Sequence, residues 1–162
     1  MLEFAVLGVG NDLLQDDGAG IHTVRRFAAI NSHPDVDTID GGTIGLALMA
    51  ELSGRSGLIV IDAMRLGKPA GTVSVLEGAD MDACLRNHCG SAHEVGISDL
   101  MDALRLSGDL PARRALVGIE PESIEWGTEP THCVANAIDE AASAIHRLLG
   151  EWRRDTTRER VA

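Results

Sequence analysis

Acidic side chains follow two apolar segments of the chain, and one histidine precedes a predicted helix. Asp16 and Asp17 lie in the glycine-rich segment 7–20, Asp62 ends the most apolar run, and His93 lies in a later loop. Because α/β proteins build sites where strands end, these side chains can converge on one point. Two carboxylates and one imidazole, with positions left open, suit a borderline divalent ion such as zinc or nickel.

Other interpretations of these residues stay open at this point. Asp16 or Asp17 can serve as a helix cap, Asp62 can form a turn, and a lone His93 is often a surface residue. A dinucleotide site is disfavoured, because Leu13 stands where G-x-G-x-x-G requires glycine and the neighbouring acids would repel a pyrophosphate. The motifs Gly-x-Ser-x-Gly and His-Glu-x-x-His are absent.

Hydrophobic periodicity predicts strands that alternate with helices, which is typical of a three-layer α/β sandwich. The predicted strands are 3–9, 36–40, 57–62, 71–76 and 115–119, and the predicted helices are about 18–31, 44–53, 96–107 and 130–152. Residues 77–92 have no clear pattern and are predicted to be irregular. The link 63–70 is too short for a crossover helix, so strand 71–76 is expected to run antiparallel to strand 57–62.

Length and composition limit the class of protein. The chain has 162 residues, the usual size of one domain, and its net charge of −11 disfavours nucleic acid as a partner. No run approaches 18 apolar residues and the N-terminus lacks a basic region, so we expect neither a membrane span nor a secretory signal.

The three cysteines are Cys84, Cys89 and Cys133. An odd number without a regular framework predicts reduced thiols and a cytoplasmic location. A zinc knuckle from Cys84, His88, Cys89 and His93 is a weaker alternative, because the spacing is not C-x-x-C.

In order and spacing, five segments resemble the hydrogenase maturation endopeptidases, which process the large subunit of nickel–iron hydrogenases. The resemblance covers about residues 1–150. The matching segments are 7–11 with 16–18, then 40–43, 61–63, 91–96 and 117–123.

The resemblance implies a three-layer α/β/α sandwich around a five-stranded, mostly parallel sheet with one antiparallel strand. This domain would span 1–152. Residues 153–162 are charged and lack a periodic pattern, so they are expected to form a frayed tail. The implied activity is removal of a C-terminal extension from the nickel-loaded precursor of a hydrogenase large subunit. The nickel would belong to this substrate, and the chain would have no tightly bound cofactor of its own.

The family's metal ligands fall on Asp17, Asp62 and His93, which are also the implied catalytic residues. Relatives often have glutamate where Asp17 stands, so Asp16 remains an alternative as the first ligand. A substrate-binding role is expected for four consecutive residues, in which glycines leave room for a bound peptide. These are Asp40, Gly41, Gly42 and Thr43.

The hydrolytic step is left open by the residues. A metal can polarise the scissile carbonyl or activate water, and a carboxylate among Asp17, Asp40 and Asp62 can act as general base. A nickel-binding maturation chaperone without peptidase activity would use the same three ligands and is the alternative function.

Overall fold

A five-stranded sheet forms the middle layer of the computed structural model, which describes residues 3–43, 45–87 and 93–161. The strand order is β2-β1-β3-β5-β4. The strands are β1 Phe4–Gly8, β2 Val36–Asp40, β3 Gly57–Ala63, β4 Val73–Glu77 and β5 Arg113–Ile119. The first three and β5 are parallel, whereas β4 is antiparallel to β5. The expected opposite direction of β4 and β3 is confirmed, and β5 lies between them.

Helices cover both faces of this sheet. They are α1 Ala19–Ile30, α2 Met49–Leu52, α3 Gly78–Arg86, α4 Glu94–Ser107 and α5 His132–Val161. Strand residues such as Val6 and Ile59 pack with α1 and α5, whereas Leu7 and Val60 pack with α2, α3 and α4. Because successive side chains of a strand point to opposite faces, covering both faces requires the continuous apolar runs seen in β1 and β3. The expected three-layer sandwich is confirmed.

Three elements differ from expectation. The prediction that 77–92 is irregular is wrong for 78–86, because this segment is α3, whose Met81 and Leu85 are buried one helical turn apart. Instead of a helix over 44–53, a 3-10 turn at Leu46–Leu48 leads into the four-residue α2, and Ile44 lies outside the described residues. Beyond residue 152, where we expected a frayed tail to start, α5 continues to Val161.

The start of this expected tail is held against the sheet. Arg153 forms two hydrogen bonds with Asp35, at 2.9 and 3.0 Å, and its guanidinium lies over the ring of Phe4. None of the helices within the described ranges is both long and apolar enough to cross a membrane.

Candidate active site

Asp62 reaches the carboxyl edge of the sheet as the sixth residue of β3 and is fully buried. The neighbouring strand β1 ends at Gly8, and the pairing with β3 continues for one more residue, because the Val9 N–H donates to the Ile61 carbonyl at 2.9 Å. Gly20, at the start of α1, lies directly against these strand ends. A Cβ there would overlap the carbonyl oxygens of Val9 and Ile61. The missing side chain therefore lets the segment before α1 approach Asp62.

The imidazole of His93 lies between two carboxylates. Its Nδ1 is 3.3 Å from Oδ1 of Asp62, and its Nε2 is 3.4 Å from Oδ2 of Asp17. The side chains of His93 and Asp17 are almost buried. The structure thus brings together the three side chains that were selected from the sequence, which come from the end of β3, the segment after β1 and the start of α4.

Protonation of His93 is favoured by these neighbours. The hydrogen bond with Asp62 is the largest cause that raises the pKa of His93, and the charges of Asp62 and Asp17 raise it further, while burial lowers it. In the imidazolium form both ring nitrogens carry a proton, so one N–H can face each carboxylate. The cluster then holds one positive charge against two negative charges.

This arrangement does not itself form a metal shell. Within 3–43, 45–87 and 93–161, no group of three His, Cys, Asp or Glu side chains is placed to hold an ion. The reason is visible in the contacts, because Asp17 and Asp62 face different nitrogens of the His93 ring. To share one ion, the ring would have to release one carboxylate.

Asp16 points to a different loop from Asp17. The structure places both in a 3-10 turn at Gln15–Gly18, and Asp16 is fully buried. Its carboxylate accepts backbone N–H bonds from Glu122, Ser123 and Thr131 at 2.8, 3.0 and 2.6 Å. These contacts favour Asp17 over Asp16 as the first ligand. Neither acid caps α1, because Gly18 occupies that position without a side-chain hydrogen bond.

The segment 40–43 extends the edge of the sheet beside the Asp17 loop. The Gly41 N–H donates to the Gly8 carbonyl and the Gly10 N–H donates to the Gly42 carbonyl, both at 2.8 Å. A Cβ on Gly42 would meet no atom within 4 Å, so one side of this backbone is open. Thr43 is exposed. The segment is therefore accessible to a ligand, as a peptide-binding role requires.

Asp40 takes part in a separate ion pair. Arg25 binds its carboxylate at 2.8 Å and also binds Asp12 at 2.7 Å. This exposed group lies at the end of β2, whereas Asp62 lies at the end of β3, two strands away in the sheet.

The expectation of three reduced thiols is wrong for Cys84, which is disulfide-bonded. This bond also argues against Cys84 as a ligand of a zinc knuckle, because a metal needs the thiolate. Cys89 and His88 lie outside the described residues. Cys133 is a free thiol that packs against the core at the start of α5, as expected for a packed cysteine.

Two anchoring residues were not identified from the sequence. Thr131, in a region to which we assigned no role, gives both its backbone N–H and its hydroxyl to Asp16. Its position after Pro130 and before a helix is a recognisable cap signal, but the remote partner is not visible in the sequence. Glu120 is buried at the end of β5 and accepts the Leu66 N–H at 2.7 Å, which fixes the loop that follows Asp62 and β3.

Comparison with known proteins agrees with this fold. The family model described as hydrogenase maturation protease matches residues 21–148. The chain is 36% identical over 152 residues to the hydrogenase 2 maturation protease of Escherichia coli K12, covering 93% of this chain and 92% of that protein. Among solved structures, the hydrogenase maturating endopeptidase HybD from E. coli matches with a TM-score of 0.86 and 33% identity, covering 92% and 93% of the two chains. The [NiFe] hydrogenase maturation protease HybD from Thermococcus kodakarensis matches with a TM-score of 0.80 and 26% identity, covering 90% and 98%.

Proposed function

The chain belongs to the hydrogenase maturation protease family, and from this membership we propose that it cleaves the precursor of a nickel–iron hydrogenase large subunit. The matched family members are proteases and endopeptidases, so the chain is a peptide hydrolase of the same family. The proposed reaction removes the C-terminal extension of the precursor after nickel has been loaded. The nickel is part of this substrate.

The observation that carries the proposal is the position of His93 between Asp17 and Asp62 at the carboxyl edge of the sheet. Once the His93 ring releases one carboxylate, two oxygen donors and one nitrogen donor would form an incomplete shell for nickel, and further ligands would come from the substrate. The chain would therefore recognise a metal that substrate thiolates already hold. This incompleteness makes recognition depend on the loaded precursor.

The three residues would have different roles in hydrolysis. Asp17 is the better candidate for general base, because its side chain retains some exposure while that of Asp62 has none. Asp40 is engaged by Arg25 and is a weaker candidate. Before the substrate binds, Asp62 would hold and orient His93 through their hydrogen bond.

The scissile segment would lie along the open backbone of 40–43. An extended peptide there can contact Gly42 closely, because Gly42 has no Cβ and the space that a Cβ would occupy is open. The missing Cβ of Gly41 instead leaves room for the side chain of Leu7. Thr43 would contribute an exposed hydroxyl to the same strip.

The test is processing of a nickel-loaded precursor, followed by mass spectrometry of its C-terminus. Asp17→Asn should lower the rate by about a hundredfold or more, because an amide cannot accept the proton of water. Asp17→Glu keeps the carboxylate and should retain much of the activity, and His93→Ala should abolish processing. Glu140→Gln, an exposed change on α5, is the matched control.

Two results would contradict the proposal. Tight binding of the precursor without loss of mass would favour a nickel-binding chaperone. Equal processing of nickel-free and nickel-loaded precursors would show that the metal is not what the site recognises.

A further inference from the structure

Three exposed large apolar side chains lie on two loops beside Asp17. Leu13 is 52% exposed, Ile124 is 44% exposed and Trp126 is 81% exposed. The described chain has only six exposed side chains of this kind, so half of them lie in this small region. Clustered exposure of apolar groups marks interaction surfaces, whereas single exposed apolar residues are ordinary.

Backbone hydrogen bonds join these two loops. The Gly127 N–H donates to the Leu13 carbonyl at 2.9 Å, and the Gln15 N–H donates to the Gly127 carbonyl at 2.8 Å. The Asp16 N–H also donates to the Ser123 carbonyl at 3.1 Å. The exposed tryptophan is therefore tied to the same short segment that presents Asp17 to His93. A surface held in this way loses little conformational freedom when a partner binds.

The loop between β5 and α5, which carries Ile124 and Trp126, is acidic. Glu122, Glu125 and Glu129 are exposed, and none of them forms a salt bridge with another described residue. By contrast, Asp12 on the adjoining loop is neutralised by Arg25. Unpaired negative charges at the rim of an apolar patch favour a partner that carries positive charges.

We propose that the exposed apolar and acidic side chains of these two loops form a docking surface for a segment of the substrate polypeptide with both apolar and basic side chains. The docking surface consists of Leu13, Glu122, Ile124, Glu125, Trp126 and Glu129. The inference rests on the proposed function, because it makes the precursor the partner. Tryptophan is enriched among residues that dominate binding energy, so Trp126 should be the main anchor. The glutamates should contribute mainly to the rate and salt dependence of association.

The test compares KM and kcat for processing of the nickel-loaded precursor. Trp126→Ala should raise KM at least about tenfold with little change in kcat, because the side chain binds substrate away from the reacting atoms. The double variant Glu125→Lys and Glu129→Lys should also raise KM, and it should reduce the dependence of KM on salt. Because all three side chains are exposed, their replacement should leave the thermal unfolding temperature nearly unchanged.

Leu106→Ala is the matched control. Leu106 is 90% exposed on α4, thirteen residues after His93, and is therefore about 20 Å from it along the helix. Its removal should leave KM unchanged.

The outcomes separate this inference from the proposed function. If wild type cleaves the precursor and Trp126→Ala has the same KM, or only a lower kcat, the docking surface is wrong and the function stands. If wild type does not cleave the precursor but binds it, and Trp126→Ala weakens that binding while Leu106→Ala does not, the docking surface stands and the hydrolytic function is wrong.

Discussion

Thr131 gives both of its hydrogen-bond donors to the carboxylate of Asp16, although 115 residues separate the two in the chain. The backbone N–H lies 2.6 Å from Oδ1 and the hydroxyl lies 2.7 Å from Oδ2. Together with two further N–H donors, this clamp fixes the loop before α5 against the turn that contains Asp17. The position of Asp17 relative to His93 therefore depends on its neighbour in sequence.

Asp16→Asn should weaken this clamp. The amide group offers one oxygen and one NH₂, so at least one N–H that faces Oδ1 or Oδ2 loses its acceptor. A hydrogen bond to a charged group contributes about 1.5–3 kcal/mol, and we expect a loss of that size in the free energy of unfolding, measured by urea denaturation. Thr131→Ala removes only the hydroxyl donor and should cost less, about 1 kcal/mol. Equal stability of Asp16→Asn and wild type would contradict the clamp.

The histidines His93 and His146 should titrate on opposite sides of the ordinary value of about 6.5. The hydrogen bond and charge of Asp62 and the charge of Asp17 raise the pKa of His93. Burial lowers the pKa of His146, and the charges of His33 and Arg153 lower it further. An NMR titration of the imidazole protons measures both values in one sample.

Asp62→Asn should lower the pKa of His93, because it removes the largest cause of the increase, and should leave His146 unchanged. A group whose pKa is raised on folding stabilises the fold fully below its unfolded pKa. The contribution of the His93 ion pairs should therefore be complete below about pH 6.5 and should be lost as pH rises through the raised value. A His93 resonance that titrates at or below 6.5 would show that the imidazolium does not lie between the carboxylates.

Much of the fold could be predicted because burial leaves a simple pattern in the sequence. The runs of β1 and of β3 up to Asp62 are apolar because both of their faces are covered. The short link after Ala63 predicted the reversed direction of β4. It did not predict that β5, which is distant in sequence, lies between β3 and β4. Helix α3 was missed because it is short and buries only Met81 and Leu85, too few to show a period.

The site could be predicted from the sequence less completely than the fold. Asp16 and Asp17 are adjacent and chemically identical, so only their three-dimensional partners distinguish a structural anchor from a side chain that faces His93. Those partners come from loops that are distant in sequence. Likewise, no local pattern shows that Glu120 holds the backbone of Leu66.

Gly42→Asn should test whether the substrate contacts the open backbone of 40–43, without a large loss of stability. Gly42 has φ of 53°, a left-handed conformation that asparagine tolerates and that penalises β-branched residues such as valine. Because a Cβ there would meet no atom within 4 Å, the new side chain should not disturb the fold. If a peptide passes over this backbone, KM for the precursor should increase while the unfolding temperature changes little. An unchanged KM would mean that substrate does not contact Gly42.

Unlike Gly42→Asn, Gly20→Ala should lower the stability of the fold, and it should disrupt the site as a consequence. A Cβ at Gly20 would overlap the carbonyl oxygens of Val9 and Ile61, which are backbone atoms that cannot turn away. Overpacking of this kind should cost about 3 kcal/mol in the free energy of unfolding. Because the strain would push α1 away from the strand ends, it should also separate Asp17 from Asp62. The pKa of His93 should then fall, since it depends on both carboxylates.

Gly45→Ala is the control, because Gly45 has an extended φ of −153° and a Cβ added there would meet no atom within 4 Å. If Gly20→Ala were as stable as Gly45→Ala, close approach of α1 to β1 and β3 would not be what brings the three residues together.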